Sequence, residues 1–175
     1  MLTSWGRMKK IDVGTCFYIP LESGEFGFGY IVYDDQFLIV NIFDFKSNSC
    51  KDVISAFGRP LLIEGWLIDV VVFAKIKNAM YPKWELLRKV IYDNPRLPVN
   101  PIVIYGLPSR LKCLNYVTGD TFDATDNDIN IYPGFITRHS DYYSAFVRLK
   151  YSGAQFDNLR FDEKLDCYIP VPNGL

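Results

Sequence analysis

Three apolar runs, residues 16–21, 26–33 and 37–43, follow one another with only short polar breaks at 22–25 and 34–35. Such runs, rich in aromatic and β-branched residues and divided by turn formers, predict consecutive hairpins, a β-meander. In Phe26-Gly27-Phe28-Gly29-Tyr30 the rings fall on every second residue, so they share one strand face and the glycines share the other. Glycine weakens a strand unless a bend or a close-packed neighbour needs the space. Gly27 and Gly29 are therefore read as sites where the sheet bends, with a backbone groove for a partner as the alternative. Pro20 cannot donate to a ladder, so the run 16–21 is expected to be an edge strand or to end there.

The length of 175 residues suits a single domain, 1–175, able to bury a sizeable core. Aromatic residues make up 16% of the chain, which favours β structure. Nineteen basic and twenty acidic residues nearly cancel, so no global field draws in nucleic acid and a charged partner must be met by a local patch. The four cysteines, Cys16, Cys50, Cys113 and Cys167, are far apart with no C-x-x-C, which argues against a metal site and fits reduced thiols in the cytoplasm. Residues 1–10 read as a poorly ordered lead-in without signal-peptide character. No run reaches the ~18 apolar residues of a membrane helix, so no membrane partner is expected.

Further along, Ser49 with Asp52 resembles a capping box for a short helix at about 51–57, stopped by Gly58 and Pro60. Residues 61–75 read as one long buried strand, broken near Gly65. Asp69 inside it should sit at an exposed end or cap a neighbouring turn. Pro82 suits a first helical position, and Trp84, Leu87 and Ile91 would share a face of a helix ending near Asn94. Pro95, Pro98 and Pro101 mark a connector. Residues 102–105 and 112–117 predict two strands around a turn at 107–110. For 142–151 a helix would group Tyr142, Phe146 and Leu149, while a strand would alternate; composition tips the reading to strand. Residues 160–169 read as a closing hairpin turning at 162–164. The fold class expected is α+β, mostly β: a strongly bent antiparallel sheet or barrel-like meander with one or two short helices. Extra strands from the last third, 102–175, should pack on the same sheet.

Catalytic chemistry finds little support. The single histidine, His139, lies in a polar loop-like context, and neither a Ser–His nor a Cys–His pair is evident. Asp126-Asn127-Asp128 starts like a calcium loop, but Ile131 stands where glycine is required and Thr137 where glutamate is required. Neither a cofactor nor a metal is expected. Trp66 and Trp84 read as core. One stretch does suggest a partner: residues 119–137 carry Asp120, Asp123, Asp126 and Asp128 and no lysine or arginine. This is either a solvated loop or a negative patch for a basic partner, with Phe122 and Tyr132 as candidate anchors.

The motif Gly14-Thr15-Cys16-Phe17-Tyr18-Ile19-Pro20-Leu21, then Gly24 and Phe26-Gly27-Phe28-Gly29-Tyr30-Ile31, resembles the opening of the immunity protein 26 family. Phe43-Asp44, Pro60-Leu61-Leu62, Trp66, Asp69 and Trp84 extend the likeness over a core of 14–101. Two positions depart from it: Thr15 replaces the usual aspartate, and Tyr30 stands where a polar residue is common. The resemblance implies an immunity protein of a bacterial polymorphic toxin system. Such a protein binds and neutralises a cognate toxin, often a nuclease, and is not an enzyme. It also implies a mainly structural role for Gly14, Pro20, Leu21, Gly24, Gly27, Gly29, Trp66, Asp69 and Trp84. Two other readings stand beside it. One is a small-barrel module for peptide or nucleic acid, presenting Phe26, Phe28 and Tyr30. The other is an enzyme with an unusual carboxylate site around Asp69.

Overall fold

The computed structural model describes residues 10–34, 38–98, 100–107, 109–132, 134 and 138–171. The expected lead-in over 1–9, part of the second meander turn (35–37) and of the turn at 107–110 (108), and positions 133 and 135–137 of the acidic stretch lie outside them.

The meander is present as β1 (Thr15–Pro20), β2 (Phe26–Asp34) and β3 (Leu38–Ser47), continued by β4 (Leu61–Ile68). A fifth strand, β5 (Glu85–Ile91), closes an open antiparallel sheet of order β4-β3-β2-β1-β5. The sheet is not closed into a barrel. Its strands read as almost continuous apolar runs because both faces are covered. Along β1, Phe17 and Ile19 enter one core while Cys16 and Tyr18 pack in the other. Along β3, Leu38, Val40 and Ile42 face the first, and Ile39 and Phe43 the second. The period of two is intact; only the usual polar face is missing.

The first face is covered by helix α2 (Ser140–Tyr151), by a 3-10 turn at Val70–Phe73 and by the hairpin β9 (Asn158–Asp162) and β10 (Cys167–Val171). Trp84 anchors this layer. Its ring stacks on Phe17 at 5.4 Å, and its Nε1 donates to Ser144 Oγ at 3.0 Å. Trp66 meets Phe146 at 4.7 Å between ring centres. The second face is covered by a 3-10 turn at Asp52–Ala56, by the connector after β5 and by a three-stranded sheet of β6 (Ile102–Leu107), β7 (Arg110–Asn115) and β8 (Thr121–Asp123). The connector crosses the sheet from edge to edge. Tyr92 N donates to Gly14 O, and the Tyr92 ring packs on Tyr30 and Phe57. Arg96 then meets Tyr30 and Asn41, and a Cβ added to Gly65 on β4 would lie 2.5 Å from Pro98. The buried Asn41 amide is used fully in this crossing: it donates to Tyr30 Oη (2.7 Å) and Arg96 O (3.0 Å) and accepts from Gly65 N (2.6 Å).

Several local expectations are corrected. The strand β1 is not an edge strand: it pairs with β2 on one side and, over Thr15–Tyr18, with β5 on the other. It does end at Pro20. The helix expected after Pro82 is the strand β5, because the free edge of β1 offers a ladder that outweighs the chance spacing of Trp84, Leu87 and Ile91. Ile91 is 40% exposed rather than core. The long strand 61–75 stops at Ile68. Asp69 Oδ1 accepts from Val71 N at 2.9 Å and turns the chain into the 3-10 turn, the capping role anticipated for it. The helix at 51–57 is a shorter 3-10 turn capped by no side chain, since Asp52 accepts from Ser47 Oγ instead. Residues 142–151 are helical. His139 caps α2 by accepting Asp141 N at its Nδ1. The helix is wedged between the sheet and the β9–β10 hairpin, so aromatic residues are buried all round its first half. The extra strands of the last third are present, but they pair among themselves in two small sheets rather than extending the large one.

Candidate functional site

The acidic stretch is not irregular. Gly119 turns the chain after β7, β8 pairs back along β7 with Phe122 opposite Cys113, and α1 (Asp126–Ile131) follows. Thr125 starts α1 through a capping box: Asp128 N donates to Thr125 Oγ1, and Thr125 N donates to Asp128 Oδ2 at 2.8 Å. The hydrogen bonds that Thr125 N and Thr125 Oγ1 donate to Oδ2 hold the Asp128 carboxyl below its ordinary value. Asp128 is half-buried, whereas Asp120, Asp123 and Asp126 are exposed. Asp120 accepts from Thr118 Oγ1 at 2.7 Å. The stretch itself has no cation, but β7 supplies one: Lys112 Nζ lies 3.4 Å from Asp123 Oδ1.

Apolar side chains stand out on the same element pair. Phe122 on β8 is 43% exposed, Ile129 and Ile131 on α1 are 46% and 57% exposed, and Tyr132 is half-buried. Exposed apolar groups rimmed by carboxylates have the chemistry of a protein interface. The sequence reading named Phe122 and Tyr132 as apolar anchors but not Ile129 and Ile131; the signal for them was an apolar i, i+2 pair in a segment of marginal helical length.

The family-motif residues lie elsewhere, in the large sheet and under α2. Gly14 has a positive φ of 84°, and a Cβ there would stand 2.6 Å from Tyr92 O, at the junction of β2, β1 and the connector. Gly27 and Gly29 face the α2 side. A Cβ on Gly27 would meet the Tyr151 ring at 2.6 Å, and one on Gly29 would meet Phe17 and Asn41 O at 2.5 Å. The β2–β3 register also shifts between them. Leu21 packs against the first core, and Pro20 O accepts from Arg148 Nη2 at 2.9 Å. Gly24 sits in the 3-10 turn Glu22–Gly24. Trp66, Asp69 and Trp84 occupy the core and capping positions given above.

The aromatic stripe does not form a stacking platform. Phe28 and Tyr30 are 0% and 1% exposed beneath the second layer, which removes the ground for the nucleic-acid module. Asp69 lines neither of the cavities described, at α2 and at the 74–83 loop. Cys16 and Cys113 are buried and unpaired, and burial pushes the Cys16 thiol up to about 12, against a hydrogen bond from Tyr92. Among the described residues no His, Cys, Asp and Glu group is placed to hold a metal ion, and no helix is long and apolar enough to cross a membrane.

The model of the family described as Immunity protein 26 matches residues 12–101. The chain belongs to that family. The matched part runs from the residue pair before Gly14 through the five-stranded sheet and the connector, and leaves α1, α2 and the two small sheets outside. No curated protein and no solved structure matches the chain. Membership of the immunity protein 26 family suggests a toxin-neutralising role and so a toxin as partner; the family is generally non-enzymatic.

Proposed function

We propose that this immunity protein 26 member binds and neutralises one cognate bacterial toxin by stoichiometric protein–protein association. It acts in the cytoplasm of the cell that makes both proteins, as part of a polymorphic toxin system. The observation that carries the reading is the family match over 12–101. The binding face we favour is β8 with α1: Asp120, Asp123, Asp126 and Asp128 supply the field, and Phe122 and Tyr132 the anchors. A nuclease is the toxin class that fits this face, because its cleft must be basic to hold phosphates. Carboxylates clustered opposite such a cleft speed encounter and reject wrong partners. The inhibitor then meets the enzyme rather than the nucleic acid. We also take 1–175 as a single domain, 14–101 its family-like core and 102–175 an extension packed on the same sheet. This is supported by α2 sharing one apolar core with β1, β3 and Trp84.

The decisive experiment is co-expression with the toxin domain encoded beside the gene. Growth should be restored, and a one-to-one complex should purify. A neighbourhood without a toxin, and no rescue by any nearby candidate, would overturn the reading. To test the face, Asp120, Asp123, Asp126 and Asp128 are replaced together by asparagine. The association rate should fall by roughly tenfold or more at low salt, with a flatter salt dependence. An unchanged rate, affinity and salt slope would remove this face from the interface.

A further inference from the structure

The loop 74–83 joins the 3-10 turn Val70–Phe73 to β5 and is moored to the first turn of α2. The mooring is Asp141, a residue only 5% exposed: its Oδ2 accepts from Met80 N at 3.1 Å and its Oδ1 from Tyr81 N at 3.2 Å. A cavity of about 520 Å³ lies between this loop and the start of α2. Most of its wall is apolar, supplied by Ile76, Ala79, Met80 and Pro82. Met80 is 40% exposed there, and an unbranched thioether adapts to the shape it meets. An apolar wall with a few polar groups at one end is the usual build of a small-ligand site. Because the rim is already tied down by Asp141, a ligand would not have to order it.

Ser140, the first residue of α2, lines the same cavity. It is only 7% exposed, and its hydroxyl makes no hydrogen bond to any described residue. The oxygen is not sealed in the core, for the one fully buried side-chain nitrogen or oxygen without a partner among the described residues is Arg148 Nε. The hydroxyl therefore opens on the cavity, at the positive end of a helix of 12 residues. Two cations line the cavity and no described carboxylate does. Lys83 is matched already, its Nζ 3.0 Å from Glu85 Oε1. Lys75 is exposed and forms no ion pair among the described residues. Asp141 is turned to the loop backbone and stands 3.2 Å from His139 Nδ1, outside the lining. We propose that this cavity binds a monocarboxylate with a compact apolar body. The carboxylate accepts from the Ser140 hydroxyl and pairs with the Lys75 ammonium, and the body lies on Ile76, Ala79 and Met80. With one unmatched lysine and no guanidinium fork, a phosphate dianion is poorly served. The carboxylate belongs either to a small free acid or to the C-terminus of a polypeptide that ends in an apolar residue. The site is separate from the β8–α1 face and does not depend on the toxin reading.

The test titrates the full chain with hexanoate and with hexanamide, and separately with an acetylated Gly-Leu peptide as its free acid and as its amide, following backbone amide resonances and heat. Hexanoate should saturate with a Kd on the order of 1 mM, shifting the resonances of 74–83 and 140–142, while hexanamide should not. Ser140→Ala removes a hydroxyl that no described residue uses, so the fold should stand and affinity should fall about tenfold. Lys75→Gln, at an exposed position, should weaken binding several-fold and flatten its salt dependence. Hexanoate binding without the peptide acid identifies a small free acid; binding of the peptide acid and not of its amide identifies a chain terminus. Absence of saturable binding by both acids overturns the site, whatever the toxin experiments show. Equal binding of hexanoate and hexanamide, or an affinity unchanged in both variants, overturns the roles of Ser140 and Lys75. Equal competition by inorganic phosphate overturns the carboxylate character.

Discussion

A methyl group at Gly29 has nowhere to go: it would press on the Phe17 ring and on Asn41 O at once. Gly29→Ala is expected to cost about 1–3 kcal/mol through overpacking, read as a lower urea midpoint with an unchanged slope. The sequence already hinted at this, because glycine alternating with aromatic residues demands a reason. It could not say whether the reason was a bend or a neighbour, and the structure contains both. Asn41 gave no such hint. Between Val40 and Ile42 it looks like an ordinary strand residue, yet it is fully buried and ties Tyr30, Gly65 and Arg96 together. Asn41→Ala leaves Gly65 N and Arg96 O without their side-chain partner beneath the connector. The expected loss is about 2–3 kcal/mol, with markedly faster hydrogen exchange at the Gly65 amide.

At the scale of elements, the two helices show opposite sources of stability. α1 has six residues and is too short to persist by propensity, so its capping box matters. Thr125→Ala should cost about 1 kcal/mol locally. The Asp128 carboxyl has a folded value below its ordinary 3.8. Its contribution is therefore complete above that ordinary value and is lost as pH falls through the depressed folded one. Helix signals from 126–131 should fade below pH 3.8 while those of α2 persist, which residue-resolved resonances across an acid titration would show. α2 is instead fixed by packing and by its last residue. Tyr151 Oη donates to Phe43 O at 2.6 Å and lies within 3.2 Å of Phe45 O, clamping the helix end over the bulged part of β3. Burial raises its pKa, so the phenol stays a donor at any ordinary pH. Tyr151→Phe should cost about 1 kcal/mol and leave the Gly27 packing intact.

For the whole molecule, the consequence of three layers is that the family-matched part does not cover itself. Residues 12–101 hold Phe17, Ile19, Ile42 and Trp84, but α2 and the β9–β10 hairpin that bury them lie beyond. A chain ending at 101 should bare that face and lose the dispersed amide spectrum of the full protein, even though every strand of the large sheet is retained. A well-dispersed spectrum from the truncated chain would show that the sheet stands alone with its second layer only. The same division matters for function. The face proposed for the toxin sits on β8 and α1, outside the matched region, where relatives would be free to differ and so to choose different partners.

What the sequence determined by itself was the meander, because aromatic and β-branched runs broken by two short turns leave few alternatives, and with it the mostly-β class and the opening family motif. It also determined the β6–β7 and β9–β10 hairpins, whose turns are local. The tertiary structure decided the rest. Residues 84–91 carry both a helical spacing and a strand-forming composition, and only the open edge of β1 chooses between them. Residues 142–151 are too aromatic to announce a helix, and become one because layers on both sides bury the rings that an isolated helix would expose. The buried guanidinium of Arg148 is illegible in the chain for the same reason. Its partners, Pro20, Glu22 and Tyr81, lie far away in sequence, and contacts of that range exist only once the layers have closed.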